Sequence, residues 1–243
     1  MSGNPYYQAY EERYRKVYEA GVERWGHAED DVGLRVNLTE WVDCCDLKGK
    51  RVVEFACGEG ASGVILSQLG CLYHGVDVAP SAVAKARAAL ADYPGAKVTL
   101  LDMVHEPVEG QYDAALDVMG FHMLVVDADR AAYLQNVHSC LKSGAPFFLF
   151  RESYREHADD SPVDSFEGWL KLTGDDYRTP QTRYAGPAGA QVEVQIPMVP
   201  ARAKTEAGYR QELEAAGFAV DRFNPMMTDM QIVSSAAIYA HRP

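Results

Sequence analysis

The sequence predicts an α/β fold with a doubly wound, mostly parallel β-sheet, and three observations lead to it. Between residues 51 and 150, apolar runs of strand length alternate with segments of helical periodicity, and such repeats imply parallel strands covered by helices on both faces. Several of these runs end in an acidic residue, as expected at the carboxyl edge where such sheets bind ligands. A chain of 243 residues with 47% hydrophobic residues is also long enough to bury one full core.

Two helices are predicted before the first strand. In residues 6–25, aromatic and apolar side chains recur in steps of three and four, which predicts a helix with one apolar stripe. These positions are Tyr7, Tyr10, Tyr14, Tyr18, Val22 and Trp25. The apolar positions between Leu34 and Cys45 predict a second helix. Residues 1–47 are therefore expected to form a helical cap.

Residues 48–150 are predicted to form the cofactor-binding core. The expected strands are Arg51–Phe55, Leu72–Val76, Val98–Leu101, Tyr112–Leu116 and Pro146–Phe150. The expected helices are Ala61–Leu69, Pro80–Asp92 and Asp129–Lys142. Asp77, Asp102 and Asp117 each follow one of these strands, so they are expected at one edge of the sheet.

Residues 151–204 interrupt the alternation. This segment is rich in charged and aromatic side chains, so we expect a lid or substrate-side insertion rather than a linker. Residues 205–243 add a helix, Thr205–Ala216, and two strands, Phe218–Phe223 and Ala236–Ala240, expected to close the sheet as an antiparallel hairpin. The chain, 1–243, is thus predicted to be one Rossmann-like domain with a helical cap and an insertion after the fifth strand.

The amino-acid composition argues against several classes of partner. The 35 acidic residues outnumber the 23 basic ones, giving a net charge of −12, so nucleic acid is not expected as a partner. No stretch has membrane-spanning length or a signal-peptide pattern. The five cysteines lack metal-ligand spacing, so no metal is expected and free thiols in a reducing cytosol fit. We expect a cytoplasmic protein with a small-molecule partner, and the oligomeric state is left open.

A glycine-rich turn follows the first predicted strand. Residues 58–63, Gly-Glu-Gly-Ala-Ser-Gly, satisfy the pattern G-x-G-x-x-G, which also describes a dinucleotide-binding turn. Glu54 lies four residues before the first glycine. A pyrophosphate gains nothing from a carboxylate there, whereas the ammonium and sulfonium groups of S-adenosylmethionine do. Asp77 can accept hydrogen bonds from ribose hydroxyls while Val78 packs on the adenine face.

In this order, the motifs resemble those of class I S-adenosylmethionine-dependent methyltransferases of the small-molecule type. The resemblance covers about residues 50–150 and 205–243. It is carried by Val52–Gly60, Gly75–Val78, Leu101–Met103, Tyr112–Asp117, Leu141–Pro146 and Leu213–Phe218. Ala56 departs from the family pattern, in which glycine is frequent at this position, and Ala79 stands where a helix-capping serine is common.

The resemblance implies S-adenosyl-L-methionine as the cofactor and a role for each matched position. Glu54 and the backbone around Ala56, Gly58 and Gly60 would hold the methionine part. Asp77 would bind the ribose, Asp102 the adenine amino group and Met103 the adenine ring through its backbone. Asp117 would lie beside the methionine amino group.

The acceptor side is predicted from position. His122 follows the fourth strand, where the methyl acceptor should approach, and imidazole titrates near neutral pH, so His122 is a candidate general base. A purely structural histidine is the alternative, since alignment of acceptor, methyl carbon and sulfur can suffice. Tyr14, Tyr18 and Arg151 are candidates for substrate contact. Oxygen is the first expected acceptor atom because of His122, with nitrogen and sulfur open.

Two further functions remain open at this point. An NAD(P)-dependent oxidoreductase would use the same glycine-rich turn. A non-catalytic S-adenosylmethionine-binding protein would share every cofactor motif and transfer nothing.

Overall fold

The computed structural model describes residues 5–175, 177–186, 191–227 and 234–243. The strands are β1 Arg51–Phe55, β2 Leu72–Asp77, β3 Ala96–Leu100, β4 Ala114–Val118, β5 Pro146–Ser153, β6 Gln181–Ala185, β7 Val192–Ile196, β8 Ala219–Met227 and β9 Ser234–His241. The helices are α1 Ala9–Glu19, α2 Val32–Cys44, α3 Ala61–Gln68, α4 Pro80–Ala89, α5 Asp127–Cys140, α6 Phe166–Thr173 and α7 Glu206–Ala215. Short 3₁₀ turns lie at Tyr6–Gln8 and Phe121–Met123.

A seven-stranded sheet organises the chain, in the order β3-β2-β1-β4-β5-β9-β8. The first five strands pair in parallel, while β9 is antiparallel to both β5 and β8. This confirms the predicted fold class, including the hairpin that closes the sheet. The strand order reverses between β1 and β4, and in doubly wound sheets ligands bind at the carboxyl ends beside that point.

The central strands are apolar on both faces because both faces are covered. Val53 and Phe55 of β1 pack in a cluster with α5 and α7, whereas Val52 packs in a second cluster with α2, α3 and α4. Strands buried on both sides appear in a sequence as continuous apolar runs. The apolar runs that predict the strands therefore also indicate a helical layer on each face of the sheet.

Most boundaries differ from the predicted ones by a few residues, and three of the differences affect the site. The first helix ends at Glu19, and Gly21 follows with a positive φ of 79°, so Val22 and Trp25 lie beyond it. The fourth strand is Ala114–Val118 rather than Tyr112–Leu116, which places Asp117 inside the strand. The fifth strand continues to Ser153 through a register shift against β9. Its last residues were predicted to belong to the insertion.

The insertion packs on the N-terminal helix. Strands β6 and β7 form a separate antiparallel pair. Val194 and Ile196 of β7 bury their side chains against Val17 and Val22, next to α1. The hairpin and α1 therefore form one small apolar layer of their own above the carboxyl edge of the sheet.

A buried arginine links the helices on one face of the sheet. The Arg130 guanidinium donates to the Glu212 carboxylate at 2.9 and 2.6 Å. It also donates to the carbonyl oxygens of Phe121 and Leu124 at 3.0 and 2.8 Å. Arg130 thus connects α5, α7 and the turn after β4.

We expect Arg130→Met to lower the free energy of unfolding by about 3 kcal/mol, because the half-buried Glu212 keeps only Lys204 as an ion-pair partner and the carbonyl oxygens of Phe121 and Leu124 lose their donor. Urea unfolding followed by circular dichroism measures this. Arg15→Met is the matched control, since Arg15 pairs with Glu19 on the exposed face of α1, and it should cost less than about 1 kcal/mol. Equal losses in the two variants would contradict the structural role given to Arg130.

Candidate functional site

A cavity of about 1180 Å³ lies at the carboxyl edge of the sheet. Its floor is formed by the loops after β1, β2, β3 and β4, and its roof by residues 7–30 with parts of β6 and β7. Cavities that hold one drug-sized ligand measure roughly 300–1,000 Å³. The volume lies just above that range.

The glycine-rich turn brings the chain close to the cavity in a left-handed backbone conformation. Gly58 and Gly60 have φ of 53° and 84°, and Ala56 has φ of 51°. A Cβ at Gly58 would lie 3.0 Å from the Tyr14 hydroxyl. A Cβ at Gly60 would lie 3.1 Å from the backbone of Ala86 in α4. Gly58 thus allows the roof to approach, while Gly60 packs the turn against α4 and does not line the cavity.

The positive φ explains why Ala56 is an unfavourable departure from glycine. A residue with a Cβ pays roughly 1–2 kcal/mol in the left-handed region. Its Cβ also faces Gly120, where a second Cβ would lie only 2.6 Å away. Ala56 is therefore compatible with the turn because glycine stands opposite, on the loop after β4.

Glu54 borders the cavity from β1. Its side chain is buried and accepts a hydrogen bond from the Tyr73 hydroxyl. Burial raises the pKa of Glu54 to about 7, against the opposing effect of hydrogen bonds from Tyr73 and Ser62. A positively charged group of a ligand would favour the ionised form of this carboxyl group.

Asp77 fastens two loops together. Its Oδ2 accepts from the Gly58 amide and its Oδ1 from the Ala79 amide, both at 2.8 Å. Burial raises the pKa of Asp77, and the backbone hydrogen bonds oppose that rise. The second contact satisfies the amide of Ala79 itself, whereas the Ser81 amide, from which a capping side chain at Ala79 would accept, donates to Glu11 at 2.9 Å.

The loop after β3 contributes Asp102 and Met103, and Val78 lies nearby on the loop after β2. Asp102 accepts from the Tyr7 hydroxyl at 2.9 and 3.2 Å and from the Val104 amide at 3.0 Å. The structure therefore brings Glu54, Asp77 and Asp102 to one cavity, as their positions at neighbouring strand ends predicted.

Asp117 does not line this cavity. It is fully buried in β4, where it accepts from the Gly120 amide and from the Tyr133 hydroxyl, both at 2.6 Å. Burial, and next the nearby Glu152, raises the pKa of Asp117 far above its ordinary value. The structure places this side chain inside β4 rather than at the edge of the sheet as expected, because the strand extends past it. Val118, Met119 and Gly120 line the cavity instead.

His122 is placed differently from the expectation. Its ring is fully buried, with Nδ1 2.9 Å from Glu152 Oε2, and its backbone amide donates to the same oxygen at 2.7 Å. The ring is not among the cavity lining, whereas His27 is. Burial and the adjacent Arg151 lower the pKa of His27. The geometry therefore gives His122 a structural position rather than that of a base facing an acceptor.

The three residues expected to contact substrate lie in different environments, and one of them lines the cavity. Tyr14 lines the cavity. Tyr18 donates its hydroxyl to Glu59 at 2.7 Å and does not line it. Arg151 is buried outside the cavity and pairs with Asp31 at 2.7 and 3.1 Å, which ties the end of β5 to the start of α2. The prediction that Arg151 contacts substrate is not supported by this placement.

Glu59 holds the roof onto the glycine-rich turn. Besides Tyr18, its buried carboxylate accepts from the Trp25 amide at 3.0 Å and the Gly26 amide at 2.6 Å. A second attachment comes from Glu11, which accepts from the Ser81 amide and hydroxyl at 2.9 and 2.6 Å. Sequence reasoning missed both residues, since a charged residue on a turn or a helix surface usually faces solvent.

The roof also contains cavity-lining residues that the sequence did not single out. They are Tyr10, Arg13, Trp25 and His27, and the floor adds Met119 and Met123 from the loop after β4. A signal existed for Arg13, which lies three residues after Tyr10 and four before Val17. That spacing places a charged residue on the apolar stripe of the first helix.

Comparisons with known proteins agree with the fold and the cofactor-side motifs. Residues 53–147 match the model of a family described as a methyltransferase domain. A ubiquinone biosynthesis O-methyltransferase of Pseudomonas aeruginosa is 31% identical over 146 residues, which are 54% of this chain and 59% of that protein. A ribosomal protein L11 methyltransferase of Aeromonas hydrophila is 27% identical over 146 residues, 56% of this chain and 48% of that protein. The chain thus spans about half to three fifths of these relatives.

Solved structures resemble the whole chain at low identity. The magnesium protoporphyrin IX methyltransferase of Synechocystis, solved with bound S-adenosylmethionine, aligns over 100% of both chains with a TM-score of 0.62 and 17% identity. An S-adenosylmethionine-dependent methyltransferase from Clostridium acetobutylicum covers 94% of this chain and 95% of its own, with a TM-score of 0.63 and 13% identity. Likeness at this identity establishes the fold.

Residues 53–147 match the model of a methyltransferase domain, and the chain has the fold seen in S-adenosylmethionine-dependent methyltransferases. The family resemblance of the sequence motifs is confirmed. Within the ranges that the structure describes, no helix has the length and apolar character to cross a membrane, and no group of three or more potential metal ligands converges.

We expect Glu59→Gln to loosen the roof, because an amide NH₂ replaces one carboxylate oxygen that accepts from backbone N–H groups. Hydrogen bonds to charged groups contribute about 1.5–3 kcal/mol, so amide exchange at Trp25 and Gly26 should accelerate by about tenfold or more. Hydrogen–deuterium exchange measures this. The control Glu19→Gln, on an exposed surface pair with Arg15, should leave both amides unchanged. Unaltered exchange in Glu59→Gln would refute the attachment.

Proposed function

We propose that the protein is an S-adenosylmethionine-dependent methyltransferase that acts on a small molecule by in-line transfer. One observation carries the proposal: Glu54, Asp77 and Asp102 lie at the ends of three adjacent strands and border one cavity with the glycine-rich turn, inside the matched methyltransferase domain. The names of the relatives and structural neighbours support the same activity.

The residues of the floor fit the cofactor. Glu54 would hold its ammonium group, together with the backbone of the turn at Ala56 and Gly58. Asp77 retains acceptor capacity for ribose hydroxyls beyond its two backbone contacts, since an ionised carboxylate has about four lone-pair sites. When bound, S-adenosylmethionine supplies a methyl group on a sulfonium, which an aligned nucleophile displaces.

The loops after β2 and β3 would form the adenine side of the cofactor site. We propose that Val78 and Met103 pack against the ring and that Asp102 accepts from the adenine amino group. Tyr7, which already donates to Asp102, would then close that end of the site.

The enclosure of the cavity supports a small acceptor. Residues 1–47 and 151–204 would act together as the substrate side, because the roof contains α1 with β6 and β7. The protein would then accelerate methyl transfer by aligning the reactants and excluding water. This role needs no base, and His122 is not assigned one.

Oxygen is the proposed acceptor atom, although the buried position of His122 does not support it. The support now comes from a relative named as an O-methyltransferase. Other names point elsewhere: one relative is a ribosomal protein methyltransferase, and a neighbour from Burkholderia thailandensis is an N1-methyltransferase. A cytoplasmic location is part of the proposal, supported by cysteines that are all free.

A nicotinamide dinucleotide is the main competing ligand, and the charge of the floor disfavours it. A pyrophosphate at the turn would meet Glu54, Glu59 and Asp77, all within the same cavity lining. Isothermal titration distinguishes the two ligands. S-adenosylhomocysteine should bind and NADH should not; NADH binding without S-adenosylhomocysteine binding would overturn the proposal. Cofactor binding with no product across a broad acceptor panel would instead favour a non-catalytic binding protein.

The ionisation of Glu54 predicts a pH dependence of cofactor binding. With a pKa of about 7, this carboxyl group is protonated below that pH, and a bound ammonium group favours its charged form. Binding therefore releases a proton at low pH, so the affinity for S-adenosylhomocysteine should rise from pH 6 to about pH 7.5 and then level off.

Titrations across that range, with Glu54→Gln as the comparison, test this dependence. The variant keeps an acceptor for Tyr73 and loses the charge, so its affinity should be weaker and flat with pH. A wild-type affinity that does not change between pH 6 and 8 would refute the role of Glu54.

A further inference from the structure

Arg13 is a buried cation in the roof of the cavity. It lies on the inner face of α1, is 8% exposed and lines the cavity. Its Nε donates to the carbonyl oxygen of Pro197 at 2.9 Å. Its guanidinium carbon lies 5.6 Å from the centroid of the Tyr10 ring and 5.8 Å from that of the Trp25 ring. No hydrogen bond of its two Nη groups occurs within the described ranges.

Arg13 differs from the other buried arginines of the described residues in having no carboxylate partner. Each of the others forms an ion pair: Arg130 with Glu212, Arg151 with Asp31 and Arg202 with Asp127. A buried charge without a counter-ion is costly, and burial lowers the pKa of Arg13 accordingly. Aromatic faces and one carbonyl oxygen compensate only part of that cost.

The other basic side chains among the cavity-lining residues are Arg24 and His27, while Arg183 of β6 lies outside the lining but near enough to lower the pKa of Arg13. Arg24 pairs with Glu29 at 2.5 Å, and burial lowers the pKa of His27.

Glu54, Asp77 and Asp102 lie at the ends of β1, β2 and β3, and among the described contacts none joins them to Arg13. Arg13 lies beside Tyr10, whose hydroxyl contacts Met123 after β4, the strand end from which the methyl acceptor is expected to approach.

We propose that Arg13 binds a carboxylate on the methyl acceptor, so that the substrates are small organic acids with an apolar or aromatic body. The inference rests on the proposed methyltransferase function. Nε is taken by Pro197, and the two Nη groups remain for the two oxygens of one carboxylate. Tyr10, Tyr14 and Trp25 supply aromatic surface for the body of the acid. A dianionic phosphate fits less well, since a single guanidinium would have to balance its two charges in a cavity that several acidic side chains also line.

The test uses a panel of aromatic hydroxy-, amino- and thiol-bearing acids, each paired with its primary amide. Binding to the S-adenosylhomocysteine-loaded protein is measured by calorimetry, and turnover with S-adenosylmethionine by formation of S-adenosylhomocysteine. In the wild type, at least one acid should be preferred over its amide by tenfold or more. Arg13→Met should reduce that preference below threefold. Arg13→Lys should keep part of it, because the charge remains without the bidentate geometry.

Lys16→Met is the matched control, since Lys16 is an exposed cation on the same helix; it should keep the full preference. Thermal unfolding and the affinity for S-adenosylhomocysteine are measured for every variant. An acid preference that survives in Arg13→Met overturns the inference. So does a loss of S-adenosylhomocysteine affinity in that variant with unchanged acid preference, which would assign Arg13 to the cofactor's own carboxylate.

Two wild-type outcomes separate this inference from the proposed function. S-adenosylhomocysteine binding with amides bound or methylated as well as acids, or with no acid bound at all, overturns the inference and leaves the methyltransferase proposal standing. Absence of S-adenosylhomocysteine binding in the wild type overturns both.

Discussion

The cavity depends on carboxylates that accept backbone N–H groups at the ends of strands. Asp77 joins the turn after β1 to the start of α4. Asp117 shapes the turn after β4, and Glu59 fixes the segment at Trp25 and Gly26. Buried amides must find acceptors, and an acid reaches two of them at once. Carboxylates therefore fix the shape of the loops in the floor and the roof, and two of them, Asp77 and Glu59, also line the cavity.

The sheet was predictable because burial on both faces produces apolar runs that are visible in one sequence. The acids at strand ends were predictable to the same degree, and Asp77 and Asp102 lie where expected. Asp117 shows the limit of that reasoning. The run from Tyr112 to Val118 fits a strand beginning at either end, and a shift of two residues moves an acid from the edge into the interior.

The roof could not be predicted in the same way, because its contacts join distant parts of the chain. Glu59 meets Trp25, and Arg13 meets Pro197 of the insertion. Local periodicity predicted that α1 is a helix with an aromatic stripe, but it does not state what covers that stripe. The position of His122 could not be predicted for a similar reason. Its partner, Glu152, lies on the part of β5 that was predicted to belong to the insertion.

The floor and the roof of the cavity come from different parts of the chain, and the roof is built by the packing of β6 and β7 on α1. The residues of the floor come from the contiguous sheet core, whereas the roof is assembled from segments that precede and follow it. Substitutions in the roof can therefore change the lining of the cavity without altering the strands beneath. Because β7 packs on α1, changes in α1 and in the insertion are coupled.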